Sequence, residues 1–325
     1  MQTRLIALHT PWVALALAAG PAAVSAIELG RQDLTAPGAL ISICGGISTG
    51  NGYAVGDKGS WLSGRVNCNA QQTSSPNVIL TQAADYSEAP VTVNTQAHGQ
   101  AVMGQSRLFA HSAARNDAGI AQAEATAGWV DRLTLNPVNP AFIGQTALLS
   151  FEMDVSGTLS GQGAVDSFNS GAQISIRPYL NGLAFAPGPM SSFTVGGQGQ
   201  WGSPYNQTVN QVVTFATAVT LGTPFTLGVF DRVIAGNASH TFGAPFAFSE
   251  ATVDFSHTIT WTGISALTLN GSPLSYTLES ASGIDWTRPY AAAVPEPATW
   301  VLMAAGLLGL AARRSRQRRP DPAND

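Results

Sequence analysis

Val253-Asp254-Phe255-Ser256-His257-Thr258-Ile259-Thr260-Trp261 changes character at every step. Val253, Phe255, His257, Ile259 and Trp261 fall on one face of an extended chain; Asp254, Ser256, Thr258 and Thr260 fall on the other. A period of two marks a strand with one face in a core and one in water. The rhythm recurs in Leu149–Val155, where Phe151, Met153 and Val155 oppose Glu152 and Asp154. Further strands are predicted over Ala172–Ile176, Gln207–Val219, Phe225–Val233, Leu267–Leu269 and Leu274–Leu278. Ser156-Gly157, Asn181-Gly182, Gly222-Thr223-Pro224, Ala235-Gly236-Asn237 and Asn270-Gly271 read as turns between them. Asn270-Gly271 between two short apolar runs is the strongest hairpin signal. Ala118–Leu135 is ambiguous, because alanine is the best helix former. Ala123, Ala125, Ala127, Trp129, Leu133 and Leu135 nevertheless alternate, broken only by Asp131, so the segment reads as strand.

Composition agrees. Of 325 residues, 10% are charged and 34 are glycine, while 45% are hydrophobic. An average soluble domain is about one quarter charged. Scarce charge with enough apolar material describes a turn-rich folded chain, not a disordered one or a helical bundle. Many short strands without helix–strand alternation predict an all-β, antiparallel, jelly-roll-like β-sandwich. Between Ile27 and Val294 there are 9 basic and 16 acidic residues, and Lys58 is the one lysine. Such a surface repels phosphate backbones, which argues against nucleic acid as a partner. Asn136-Pro137-Val138-Asn139-Pro140 has the length of an ordinary loop, so one domain is expected over residues 27–290.

Both ends look like addresses. Residues 1–26 have a positive Arg4, an apolar stretch Val13-Ala14-Leu15-Ala16-Leu17 and small residues Val24-Ser25-Ala26. They read as a secretory signal peptide cleaved after Ala26. Residues 291–325 contain Val294-Pro295-Glu296-Pro297, an apolar run from Ala298 to Ala312, and Arg313, Arg314 and Arg316. The prolines keep Glu296 extended and accessible. The run of 15 residues gives a transmembrane helix of roughly 22 Å, short for a bilayer core of about 30 Å. The arginines favour the cytoplasmic side and stop translocation.

This tripartite end resembles the PEP-CTERM sorting signal of Gram-negative bacteria. The resemblance implies recognition by exosortase, a membrane cysteine transpeptidase, and cleavage at or near Pro295-Glu296-Pro297. It implies transient insertion in the inner membrane, then delivery to the cell envelope surface or the extracellular space. The tail Pro320–Asp325 departs from the usual pattern. The stretch Ala251–Trp286, with its hairpin Asn270-Gly271-Ser272-Pro273 and its end Ser282-Gly283-Ile284-Asp285-Trp286, resembles the region preceding the signal in many such proteins.

Candidate chemistry is sparse. Cys44 and Cys68 are the two cysteines of an exported chain, and an oxidising compartment with an even count favours a disulfide. Gly46-Ile47-Ser48-Thr49-Gly50 spells a nucleophile elbow without the helix that motif needs, and reads as a Gly/Ser turn. Gly197-Gln198-Gly199-Gln200-Trp201-Gly202 spells a dinucleotide loop, also without its helix. No histidines pair at metal-ligand spacing, so no metal and no cofactor are expected. Glu152 and Asp154 share a strand face, more simply solvated than glycosidic. Trp61, Trp201 and Tyr205 lie in Gly/Ser-rich sequence, where aromatics stack on sugar rings or plug the ends of a sandwich. Two functions stay open: a structural or adhesive protein of an exopolysaccharide matrix, and a lectin-like carbohydrate-binding module. An enzyme, a hydrolase through Ser48, is the least supported reading.

Overall fold

The computed structural model describes residues 37–48, 66–88, 93–115, 119–163, 170–185, 190–199, 203–239 and 248–290. The chain divides into two units, Met1–Tyr290 and Ala291–Asp325, and every described residue belongs to the first. The expected signal peptide, the apolar C-terminal helix, Val294, Pro295, Glu296, Pro297, Arg313, Arg314 and Arg316 lie outside the described residues. So do Trp61 and Trp201.

The strands, in chain order, are β1 (Gly38–Ser48), β2 (Val66–Thr73), β3 (Leu80–Glu88), β4 (Val93–Val102), β5 (Gln105–Arg115), β6 (Gly119–Pro137) and β7 (Thr146–Gly163). There follow β8 (Ser170–Leu180), β9 (Leu183–Ala184), β10 (Phe193–Gly199), β11 (Tyr205–Thr220), β12 (Phe225–Ser239), β13 (Phe248–Leu269), β14 (Ser272–Pro273) and β15 (Tyr276–Ser280). They form two antiparallel sheets. One has the order β10-β8-β12-β6-β1-β2, with β9 on β8 and β15 on β6; the other has β11-β7-β13-β5-β4-β3, with β14 on β13. The quartets β6-β12-β8-β10 and β5-β13-β7-β11, between which the chain alternates except from β8 to β10, have the strand order of an eight-stranded jelly roll. Strands β1 to β4 and β15 widen both sheets.

Alternation on the two facing sheets makes one core. Ile41, Ile43, Trp129, Leu133, Ile174 and Val229 from the first sheet cluster with Phe151, Met153, Phe215, Phe255 and Trp261 from the second. Each of these side chains is at most 1% exposed, so each contributes about 1.5–3 kcal/mol of transfer free energy. The ambiguous alanine segment is strand: it is β6, at the centre of its sheet.

Some local expectations are corrected. Ser156-Gly157 is not a turn but the middle of β7. A Cβ on Gly157 would stand 2.5 Å from the Asp254 carbonyl oxygen and 2.6 Å from the Phe255 ring, so glycine is there for close approach. Ala235-Gly236-Asn237 lies inside β12, and Gly46-Ile47-Ser48 is the end of β1 rather than a turn. Leu267–Leu269 is not a separate strand. It is the end of β13, which runs on past Trp261 through register shifts between Trp261 and Gly263 and between Ile264 and Ala266. The first shift moves the inward position to the even-numbered Ile264, opposite Phe151, and the second restores it to the odd-numbered Leu267, opposite Leu149; Gly263 takes the positive φ of 129° between them. The Asn270-Gly271 hairpin is formed, with φ of 51° and 80° at the two residues. In the β1–β2 register Cys44 lies directly opposite Cys68.

Candidate functional site

Asp131, the one break in the alternation of β6, points into the core and is fully buried. Its carboxylate has five donors. Oδ1 accepts from the backbone N–H of Arg132 at 2.7 Å and of Ser282 at 3.1 Å. Oδ2 accepts from Ser280 Oγ at 2.7 Å, Ser282 Oγ at 2.5 Å and Trp286 Nε1 at 2.6 Å. A buried carboxylate is tolerated when its lone pairs are met in this way. Four of the five donors come from residues 280–286, so Asp131 fastens the last segment of the domain to the centre of the first sheet.

The Trp286 ring completes the fastening. It stacks on Trp129 with centroids 4.2 Å apart and meets Trp261 edge-on at 5.2 Å. Its carbonyl accepts from Trp261 Nε1 at 2.9 Å and from the Ile264 N–H at 3.0 Å. Tyr290 then donates its N–H to the Trp261 carbonyl at 2.9 Å. The domain is therefore closed up to the last described residue, at the point where the chain continues towards Val294. The signal for this site was present in the sequence as a misplaced aspartate and a Ser-Gly-Ile-Asp-Trp end. Nothing in the linear order links residues 155 apart, the separation of Asp131 and Trp286.

The second feature is an open groove of about 250 Å³ on the outer face of the second sheet. Ser160, Gln162, Tyr205, Asn206, Glu250 and Thr252 are among its lining residues. Gln162 Nε2 donates to Glu250 Oε2 at 3.2 Å. His111 Nδ1 lies 3.0 Å from Thr252 Oγ1 and 3.8 Å from a Glu250 oxygen. Burial lowers the His111 pKa, and the Glu250 charge opposes that shift less strongly, so the ring is neutral at neutral pH. Beside the groove His98 and Phe109 stack with centroids 4.4 Å apart. Tyr205 rests its ring on Gly197, where an added Cβ would come within 2.6 Å of it, and burial raises the pKa of its phenol.

Two further carboxylates are buried. Glu124, on the outer face of the first sheet, takes a bidentate pair from Arg232 with both distances 2.7 Å. Asp231 faces the core and accepts from Ser106 Oγ at 2.5 Å, and its Oδ1 has no hydrogen-bond partner among the described residues. Burial raises its pKa to about 7. Glu152 and Asp154 lie half-buried on the outer face of β7, and the Gly197-Gln198-Gly199 stretch is strand β10.

Fold and site together define a two-sheet β protein whose closed domain ends a few residues before a short terminal signal. A family model for the PEP-CTERM protein-sorting motif matches residues 293–317. The chain thus carries a PEP-CTERM sorting domain, which marks an exported protein sorted by exosortase at the membrane for the cell surface. No curated protein and no solved structure matches the chain.

Proposed function

We propose that the protein is a non-enzymatic structural or adhesive component of an exopolysaccharide-containing matrix, delivered there after exosortase cuts at or near Val294-Pro295-Glu296-Pro297. In this reading the signal peptide starts export. The apolar run then enters the inner membrane transiently, with Arg313, Arg314 and Arg316 on the cytoplasmic side. The observation that carries the reading is the sorting motif at residues 293–317, following directly on a domain fastened through Trp286. The buried carboxylates support a structural role: Asp131 and Glu124 are occupied in holding segments together. Intact-mass measurement of envelope material from cells with and without exosortase tests the delivery step. A C-terminus near residues 294–297 is expected only where exosortase is present, and a mature chain still ending at Asp325 would refute it.

The Cys44–Cys68 disulfide belongs to the same proposal. The two residues are cross-strand partners and Cys44 is 6% exposed, an arrangement that suits a bridge in an oxidising compartment. The exported protein, denatured without reductant, should react with no thiol reagent; two equivalents of label would remove the bridge. A second reading, a carbohydrate-binding module, is favoured by the polar groove at Tyr205 and Glu250.

A further inference from the structure

The register of the second sheet draws a line of polar side chains across five strands. Asn206 on β11 lies opposite Ser160 on β7, Ser160 opposite Thr252 on β13, Thr252 opposite His111 on β5, and His111 opposite Gln96 on β4. Their neighbours along each strand alternate into the core, as Val209, Leu159, Ala251, Val253, Ala110 and Ala97 do. All five therefore stand on the outer face, and the groove is the part of that face at the β11 side. Adjacent strands are about 4.8 Å apart, so the line repeats a hydroxyl, amide or imidazole at close to the rise of one sugar in an extended pyranose chain. The next line, Thr208-Thr158-Asp254-Phe109-His98, runs alongside and ends in the stacked aromatic pair. Hydroxyl and amide groups that donate and accept in turn suit vicinal diols, and the exposed His98 ring beside Phe109 adds apolar surface for a pyranose.

Charge narrows the class. Among the described residues the outer face carries Asp85, Glu152, Asp154, Glu250 and Asp254 against Arg107. Uronic acids or phosphorylated sugars laid on it would meet like charge. Glu250 lines the groove, where it accepts from Gln162 Nε2 and can accept from a sugar hydroxyl as well.

We infer that this face binds a neutral, extended polysaccharide lying across the strands, with Asn206, Ser160, Thr252, His111 and Gln96 each beside one sugar. The inference rests on the exopolysaccharide link proposed above and makes it specific. The test uses the full chain and four neutral tetrasaccharides: cellotetraose, laminaritetraose, maltotetraose and isomaltotetraose. Tetragalacturonate is the anionic comparison, and calorimetry is the readout.

Saturable binding of at least one neutral tetrasaccharide is expected, about tenfold weaker for its disaccharide and weaker again for the uronate. Asn206→Ala with Gln96→Ala should weaken binding about tenfold at an unchanged melting temperature, because both side chains are exposed. Tighter binding of the uronate, binding unaffected by the double variant, or binding of none of the probes would each overturn the inference. Fractionation of the same cells keeps the two proposals apart. Protein retained in the matrix without glycan binding defeats only the inference, while protein absent from the matrix defeats the proposed function.

Discussion

Asp231 makes the core sensitive to pH. Its ordinary carboxyl value is 3.8 and burial raises it to about 7, so the folded state holds a proton that the unfolded chain gives up. For an acid shifted upward, the contribution is full below the unfolded value and is lost as pH rises to the folded one. The contribution of Asp231 to stability should decline between pH 4 and pH 7 by an amount on the order of 4 kcal/mol, then level off. Asp231→Asn, measured by urea unfolding across that range, should flatten the slope, since an amide keeps the shape without the charge. Trp286 sits at the other extreme, with its indole N–H and its carbonyl both hydrogen-bonded and its ring stacked. Trp286→Ala should cost about 3–5 kcal/mol and leave Asp131 without its indole donor. Hydrogen exchange should then show faster exchange at the backbone amides of residues 282–290, where the native protein is protected.

At the scale of the strand, the legible elements were those with large inward side chains. β7 and β13 alternate aromatic or branched residues with polar ones, whereas β6 does so only from Trp129 on, its earlier inward positions being Ala121, Ala123, Ala125 and Ala127, which is why it reads ambiguously. β1 to β5 are not legible in the sequence, because their inward positions include Ala39, Ala84, Ala97, Ala101, Ala110 and Ala114, small residues that contrast weakly with the intervening Gln and Ser. Glycines misled for the opposite reason. Gly157 and Gly236 read as turns in the sequence, although Gly157 is there so that the Phe255 ring fits across β7. Gly157→Ala should therefore destabilise by about 1–3 kcal/mol through overpacking, despite alanine's better intrinsic fit to a strand. Thermal unfolding of the variant decides this; a stabilised protein would mean that Phe255 moves aside freely.

For the whole molecule, the all-β class followed from composition and period, but the pairing of strands did not. The neighbours β1 and β6, β7 and β13, and β6 and β15 are long-range contacts that only the folded chain reveals. The candidate sites divide the same way. The terminal motif is local in sequence and was readable at once. The Asp131 fastening and the polar line across five strands are properties of register, and no window of the sequence contains them.

On the export route proposed above, that fastening also sets an order of events. A chain threaded outward from its N-terminus has delivered β1 to β15 before Trp286 emerges, and until then the exposed flank of Trp129 and the carboxylate of Asp131 face water. The matched sorting motif begins seven residues later, at 293. The final piece of the core and the cleavage signal therefore leave the translocation channel almost together. A cut made upstream of Trp286 would release an open, adhesive intermediate, whereas a cut at Pro295-Glu296-Pro297 releases a finished one.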